Sequence, residues 1–275
     1  MVEFRTTPVA KHVTCIDGIC HEKMYLVNGK ERTVLIDSGS GFGSLLPIVR
    51  WLTDKPVTLL LTHGHIDHAM GAGEFEDVWL NKADLEIFRE HSEYSFRLSE
   101  LYLSRERSGA AKSDMIPTAD PARFHMLREG DRFDLGGVTL ESFACPGHTP
   151  GSMVFLDRKN RLLFSGDAFS NATLLLSPEA LSVEGCLSSF LAVKDRLGDN
   201  FDRVLESHGN GELPGGILDG VIEVCRELLV GKSDRVPVIF RGMTGFLAKK
   251  RKPNSLERED GGTGNIIYRE DNLYL

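Results

Sequence analysis

Short apolar runs separated by turn residues dominate the first part of the chain and predict β-strands. Runs over 12–19, 24–27 and 32–36 have the length of strands, and Asn28-Gly29 supplies a hairpin turn. Apolar residues then recur at helical spacing, which predicts a helix that Ser44 caps and that continues to about Asp54. The apolar run over 57–61 has the pattern of a buried strand.

The same alternation of strands and helices continues through the rest of the chain. A strand at 78–80 and a helix at about 82–91 are followed by strands at 124–127, 132–133, 138–144, 152–156 and 161–165. Helices at about 187–197 and 217–230 flank a strand at 203–206. This pattern indicates an α/β protein. We predict two mostly antiparallel, mixed β-sheets packed face to face, with helices on both outer faces.

Two stretches depart from this rhythm. Residues 92–122 place aromatic side chains on a polar, partly helical segment, which is either a lid over a pocket or a surface insertion. In the C-terminal extension, 231–275, the segment 235–243 predicts a strand or loop, and 265–268 with 272–275 predicts a terminal hairpin or edge strand. This extension either shapes a pocket or forms a homodimer contact. We expect a single domain over 1–275 with a core of about 12–230.

Composition and charge narrow the class of protein. A hydrophobic fraction of 41% is that of a globular chain, and we find neither a signal peptide nor an apolar stretch of about 20 residues, so we expect a cytoplasmic protein without a membrane segment. Five cysteines without a C-x-x-C pair favour reduced thiols. A net charge of −8 argues against binding to duplex nucleic acid. We interpret the basic run 249–252 as a solvated surface loop.

A cluster of three imidazoles and a carboxylate follows the strand at 57–61 directly. These side chains are ligands of Zn²⁺ and similar cations. Other ligand-type residues also follow predicted strands and have small, turn-forming neighbours that let the backbone approach an ion. The candidate ligands are His63, His65, Asp67, His68, His148, Asp167 and His208. We assign the histidines outside these motifs to structural or surface positions: His12, His21, His91 and His125.

Four motifs in this order resemble the metal-binding motifs of the metallo-β-lactamase superfamily over about residues 12–230. They are His63-x-His65-x-Asp67-His68, Gly147-His148-Thr149-x-Gly151, Ser165-Gly166-Asp167 and Ser207-His208-Gly209. The resemblance implies an αβ/βα sandwich and two divalent metal ions, with zinc preferred and manganese or iron as alternatives. It implies that one ion is bound by His63, His65 and His148, and the second by Asp67, His68 and His208. It implies further that Asp167 bridges the ions and that Asp37 supports the histidine loop, although Asp37 also fits an ordinary turn.

The resemblance also implies a hydrolase in which a metal-bridging hydroxide attacks the ester-like carbonyl of a small molecule, with Asp67 and Asp167 as catalytic carboxylates. Thioesters and lactones are the leading substrates. Asp167 disfavours a large subclass of antibiotic-degrading lactamases, which carries cysteine there, and His65 disfavours the flavodiiron-type oxidoreductases, which carry glutamate. The alternatives are a mononuclear iron enzyme of sulfur or redox chemistry, and a phosphodiesterase, for which Arg241 and the run 249–252 are the clustered basic candidates.

Overall fold

The computed structural model describes residues 3–275, apart from the side chains of 104–108. The chain divides into two compact units, one that continues through residue 141 and one that comprises 142–275. The single domain over 1–275 stays a prediction. None of the helices in the described part of the chain is long and apolar enough to cross a membrane.

The first unit contains a seven-stranded sheet whose spatial order follows the chain. Its strands are β1 Arg5–Ala10, β2 Val13–Asp17, β3 Lys23–Asn28, β4 Thr33–Ile36, β5 Val57–Leu60, β6 Asp77–Asn81 and β7 His125–Leu127. Its helices are α1 Leu46–Leu52, α2 Ile66–Ala69, α3 Leu85–Ser92 and α4 Tyr94–Ser108. Strands β1 to β4 pair antiparallel, and β4 to β7 pair parallel. Because β4 and β5 are parallel neighbours, the loops that follow them leave the sheet at the same edge.

Strand β1 was not predicted, because its sequence lacks an apolar alternation. It is an edge strand without a buried residue, and its pairing with β2 shifts register between Pro8 and Ala10. Proline is tolerated at such an edge since its missing N–H removes no internal ladder bond.

The predicted cap of helix α1 is wrong. Leu45 occupies the N-cap position, and the Ser44 hydroxyl bonds to the Glu74 carboxylate instead. That carboxylate accepts hydrogen bonds from the backbone N–H groups of Leu45 (2.7 Å) and Leu46 (3.1 Å). An acidic group at a helix N-terminus satisfies orphan donors and complements the helix dipole. Glu74 lies far along the chain, so local sequence could not identify it.

Residues 92–122 pack against the loop that follows β4. Phe42 in that loop forms a small buried cluster with Leu101 and Ala110. Arg97 of α4 is also buried, and its guanidinium donates to the carbonyl oxygens of Ile116 (2.8 Å) and Gly41 (3.0 Å). The segment therefore supports the loop next to the β4 end.

A six-stranded sheet begins at the end of the first unit and continues through the second. Its order is β14-β13-β11-β10-β9-β8. The strands are β8 Arg132–Asp134, β9 Thr139–Ala144, β10 Met153–Asp157, β11 Leu162–Gly166, β13 Arg203–Glu206 and β14 Glu212–Pro214. Strands β11 and β13 are parallel neighbours, so the segments that follow them also leave at one edge. The second unit also contains helices α5 Val183–Leu197 and α6 Ile217–Leu229.

The C-terminal residues form a further sheet together with a strand from the middle of the chain. Its order is β12-β17-β16-β15, with strands β12 Thr173–Leu175, β15 Val236–Phe240, β16 Met243–Leu247 and β17 Ile266–Tyr268. The predicted terminal hairpin or edge strand is wrong, because β17 has neighbours on both sides and 270–272 is a 3₁₀ turn. Ile266 and Tyr268 are part of the hydrophobic core formed with α5 and α6. The extension is therefore part of the fold of the second unit.

Candidate metal centre

The histidine loop leaves β5 and passes against the start of α3. A Cβ atom at Gly64 would lie 2.7 Å from the carbonyl oxygen of Asp84, so only glycine fits this close approach. The Gly64 N–H donates to the buried Asp84 carboxylate at 2.8 Å. Asp84 thus fixes the loop between His63 and His65. Asp84 was not among the predicted site residues, because the predicted helix begins at about residue 82 and so includes Asp84, whereas the observed helix begins at Leu85.

Asp37 organises the same loop from the end of β4. Its φ of 61° lies in the left-handed region, which is uncommon for a residue with a side chain. Its buried carboxylate accepts hydrogen bonds from the Thr62 N–H (2.7 Å), from the Thr62 hydroxyl (2.8 Å) and from His68 Nδ1 (2.8 Å). A carboxylate that accepts from Nδ1 fixes the tautomer of His68, because the proton must then be on Nδ1. The Nε2 atom of His68 therefore carries a lone pair.

The imidazole of His63 is oriented by the same network. The Thr62 hydroxyl donates to Asp37, so its oxygen can accept from His63 Nδ1, which lies 3.0 Å away. That arrangement leaves the lone pair of His63 on Nε2, and this atom lies 3.1 Å from His65 Nδ1. Two ring nitrogens at this separation can act as ligands of one cation.

His91 and Phe96 extend this arrangement behind His65. The His65 and His91 rings stack with centroids 4.9 Å apart, and the His91 and Phe96 rings stack at 4.1 Å. The backbone N–H of Ile66 donates to His91 Nδ1 at 3.0 Å, which makes that atom an acceptor. His91 therefore restrains both the ring of His65 and the backbone after it. The sequence analysis placed His91 among structural or surface residues, and its position on a helical pattern gave no signal of this contact.

Three other candidate donors come together within the second unit. Asp167 follows β11 and His208 follows β13, and the Asp167 carboxylate lies 3.3 Å from His208 Nε2. The same carboxylate lies 3.8 Å from His148 Nε2. His148 Nδ1 lies 2.8 Å from the carbonyl oxygen of Leu174 in β12. Because a carbonyl can only accept, His148 carries a proton on Nδ1, and in the neutral imidazole the lone pair is then on Nε2, the ring atom near Asp167.

Two further ionisable groups lie near this second set of donors. Burial raises the pKa of the Glu206 carboxyl to about 7, and the negative charge of Asp167 adds to the effect. Burial raises the pKa of the Cys145 thiol to about 12, so near neutral pH this group is a neutral thiol. A neutral buried thiol is a poor metal ligand, and Cys145 fits the role of a small apolar core residue.

The donor sets fit a divalent cation by their chemistry. In the first unit, a ligand atom of His63 lies within 4.8 Å of one from His65 and of one from His68. The ligand atoms of Asp67 and His68 lie within 4.8 Å of each other. All candidate donors are imidazole nitrogens or carboxylate oxygens, and the tautomers of His68 and His148 leave Nε2 free of a proton. Neutral imidazole and carboxylate suit Zn²⁺, Mn²⁺ and Fe²⁺. These histidine and aspartate clusters could hold a metal ion.

Comparison with known proteins agrees with this chemistry. A family model for the metallo-β-lactamase superfamily matches residues 17–200, which is more than half of the chain and includes every candidate donor except His208. In three dimensions the chain is similar to a metallo-β-lactamase from Pontibacter korlensis, with a TM-score of 0.59, 17% identity, and coverage of 82% of this chain and 99% of that one. This likeness shows the fold and confirms the predicted fold class.

Curated relatives in sequence carry hydrolase names. The chain is 31% identical over 165 residues to an acyl-coenzyme A thioesterase, MBLAC2 of Gallus gallus, a match that covers 55% of this chain and 59% of that protein. It is 28% identical over 138 residues to the hydroxyacylglutathione hydrolase GloC of Haemophilus influenzae, with 50% and 61% covered. The chain thus spans about three fifths of the length of these relatives.

Proposed function

Because the chain belongs to the metallo-β-lactamase superfamily, we propose that it is a metal-dependent hydrolase that cleaves the thioester bond of a small molecule. The observation that carries this proposal is the pair of oriented donor sets, in which neighbouring groups fix the lone pairs of His68 and His148 on Nε2. The two relatives named above are called an acyl-coenzyme A thioesterase and a hydroxyacylglutathione hydrolase. An acyl group on the thiol of either carrier is a thioester, which supports a thioester over a lactone.

We propose that the donors bind two divalent cations, with zinc as the first candidate and manganese or iron as alternatives. In this assignment His63, His65 and His148 hold one ion, and a second set holds the other: Asp67, His68 and His208. Asp167 would serve both ions, since its carboxylate lies 3.8 Å from His148 Nε2 and 3.3 Å from His208 Nε2. Two cations contribute a charge of +4, of which the two aspartates neutralise half, so the centre attracts a polarised or anionic substrate.

When bound, divalent cations in such a pair lower the pKa of a water molecule and polarise the carbonyl that it attacks. The protein residues keep the donors in the form that this chemistry requires. Asp37 accepts the Nδ1 proton of His68, and the Leu174 carbonyl accepts that of His148, so that Nε2 of each ring is the atom available to a cation. Asp84 and His91 restrain the loop backbone and the His65 ring, so that little ordering remains to be done when a cation binds.

The test is metal analysis combined with a substrate panel. We expect about two divalent ions per chain and hydrolysis of thioesters in preference to lactones, phosphodiesters and β-lactams, each assayed with Zn²⁺, Mn²⁺ and Fe²⁺. Full thioesterase activity in protein stripped by a chelator would contradict the proposal. Preferred cleavage of phosphodiesters would favour the phosphodiesterase alternative, and a single tightly held iron would favour the mononuclear iron alternative.

We also propose a cytoplasmic location and a homodimer. All five cysteines are free thiols, which fits a reducing compartment. The outer strand of the C-terminal sheet, β15, exposes Ile239 and Phe240 along an open edge, and such an edge can pair with a second copy. Cell fractionation tests the location, and light scattering on the purified protein tests the dimer, with Ile239→Lys expected to weaken it.

A further inference from the structure

A cavity of about 590 Å³ lies in the second unit beside the loop that carries His208. Its lining comprises Asn210, Arg251, Lys252, Asn254, Ser255 and Leu256. Asn210 is two residues after His208, so their Cα atoms are separated by at most about 7 Å. Leu256 of the lining also lies close to Gly209 in this loop, where the φ is 61° and a Cβ atom would lie 3.0 Å from Leu256 Cδ1. The cavity is therefore next to a proposed metal ligand.

The segment that forms this cavity is a closed loop with a fixed backbone. The Asn265 side chain accepts from the N–H of Lys249 (3.0 Å) and donates to its carbonyl (2.8 Å). Across the loop, the Lys252 N–H donates to the Glu257 carbonyl at 2.9 Å. These bonds hold the lining residues in place before any ligand binds, which lowers the entropic cost of binding.

The two cations of the lining differ in how their charge is compensated, and the exposed Lys252 pairs with Glu257 at 2.8 Å. Arg251 is half-buried, and burial lowers the pKa of its guanidinium from the usual value. It donates to the backbone carbonyl of Asn171 at 2.8 Å, but within 3–275 we find no carboxylate that forms an ion pair with it. By contrast, the nearby Lys249 pairs with Glu227 and Arg258 pairs with Asp260. A partly buried cation without a carboxylate partner is costly, and an anion in the cavity would offset that cost.

We propose that this cavity, the carrier pocket, binds the phosphate groups of the substrate's carrier thiol, so that the substrate is a thioester of a phosphorylated carrier of the coenzyme A type. This inference rests on the proposed thioesterase function. The lining offers a guanidinium, an ammonium, two amides and a hydroxyl, which are more donors than the two oxygens of one carboxylate require. Phosphate presents more oxygens and a larger charge, and arginine binds it in a bidentate manner. The volume is in the range of ligand sites, and Leu256 adds an apolar wall.

Matched substrates test the pocket by kinetics. We expect the double variant Arg251→Gln/Lys252→Gln to raise KM for a coenzyme A thioester about tenfold, because charge-assisted hydrogen bonds to phosphate are lost. We expect kcat to stay unchanged. KM for the pantetheine thioester of the same acyl group, which lacks the nucleotide phosphates, should not change. Lys250→Gln is the control for loss of charge, because it removes one positive charge from the same run outside the lining. Equal losses with both thioesters, or with Lys250→Gln, would overturn the proposal.

A binding measurement keeps the test independent of activity and of folding. Adenosine 3′,5′-bisphosphate should bind the wild-type protein in calorimetry, and its affinity should fall about tenfold with Lys252→Gln alone, a change at an exposed side chain that leaves the Arg251 contact to Asn171 in place. No binding to the wild type overturns the carrier pocket. A lower KM for a glutathione thioester than for the coenzyme A thioester, with this preference lost in the double variant, would show that the pocket binds carboxylate. That result would also overturn the proposal. If no thioester is cleaved but the bisphosphate binds at this pocket, only the proposed function fails.

Discussion

The two donor sets differ in how the chain assembles them. In the first unit, His63, His65, Asp67 and His68 lie on one short loop and its helix α2. In the second unit, His148, Asp167 and His208 come from three separate segments between strands. The first set is therefore local in sequence, whereas the second exists only when β11, β12 and β13 are in place. A metal motif can thus be compact in sequence or distributed, and both kinds depend on supporting residues that are remote in the chain.

Removing one donor from either set should have the largest effect. We expect His65→Ala and Asp167→Ala each to lower kcat/KM on the order of 10³-fold and to reduce bound metal, since several kcal/mol of transition-state stabilisation depend on the metal centre. Metal content and kinetics measure this, with the exposed His125→Ala as the control. If Asp167→Ala kept full activity, the local set would suffice and the two sets would not act together.

The distributed donor set should be more sensitive than the local one to substitutions in the hydrophobic core. Ile266 is fully buried on β17, where it pairs with Thr173 of β12. We expect Ile266→Ala to lower the free energy of unfolding by about 2–5 kcal/mol because it leaves a cavity. Urea unfolding measures the change, and Ile239→Ala at the exposed edge strand is the control. An unchanged unfolding free energy would show that the extension is not part of the core of this unit.

Asp37 should matter most among the supports of the local set. Asp37→Asn removes the charge that fixes the proton of His68 on Nδ1, and we expect metal affinity to fall about 10- to 100-fold, as for other groups that orient metal-binding histidines. Competition with a chromogenic chelator measures the affinity. Asp54→Asn, an exposed position in the same unit, is the control. Unchanged affinity would reduce Asp37 to the ordinary turn role that its sequence also allows.

Substitution of His91 should have a smaller effect on metal affinity, and two variants can separate the contribution of its ring from that of its hydrogen bond. His91→Phe keeps a ring against His65 but loses the acceptor for the Ile66 N–H, whereas His91→Ala loses both. Ring stacking and a hydrogen bond each contribute about 0.5–1.5 kcal/mol, so we expect a roughly threefold loss of metal affinity for the first and about tenfold for the second. Rescue of most affinity by phenylalanine would identify stacking as the main contribution. Wild-type affinity in His91→Ala would contradict the support role.

The smallest expected effect is a difference in thiol reactivity between the two units. Burial raises the pKa of Cys15 to about 11 and those of Cys145 and Cys225 to about 12, and that of Cys186 is raised further. Because pH 8 is far below these pKa values, the four thiols are protonated at that pH. The fraction of thiolate rises about tenfold for each pH unit. Only the half-buried Cys20 should therefore react quickly with a disulfide reagent in the native protein. Rapid reaction of a second-unit thiol would indicate that this unit opens.

Much of the fold could be predicted because its signals are local. The strands β2 to β6 and β9 to β11 follow apolar runs of strand length, and α6 follows a clear helical pattern. Strand β12 has three residues and depends on a partner at β17, so its sequence carries no such signal. The cap of α1 was mispredicted for the same reason, since Glu74 outcompetes the local Ser44.

The candidate donors were recognisable, whereas their supports were not. The spacing of three histidines directly after a predicted strand indicates metal ligands: His63, His65 and His68. Asp84 acts through one backbone hydrogen bond to Gly64, and His91 through a stacked ring, and neither contact leaves a pattern in the sequence. The basic run 249–252 was interpreted as a solvated loop, but Arg251 is half-buried beside a cavity. Charge runs do not reveal which of their members turns inward.

The pairing of β12 with β17 has a consequence for the order of events during translation. Leu174, whose carbonyl orients His148, is synthesised long before Ile267, the residue that it pairs with. Domains form from the N-terminus as the chain emerges, so the histidine loop of the first unit can fold while β17 is still inside the ribosome. His148 gains its fixed orientation only after β17 has been synthesised. A nascent chain therefore contains His148 before the strand that fixes its orientation has been made.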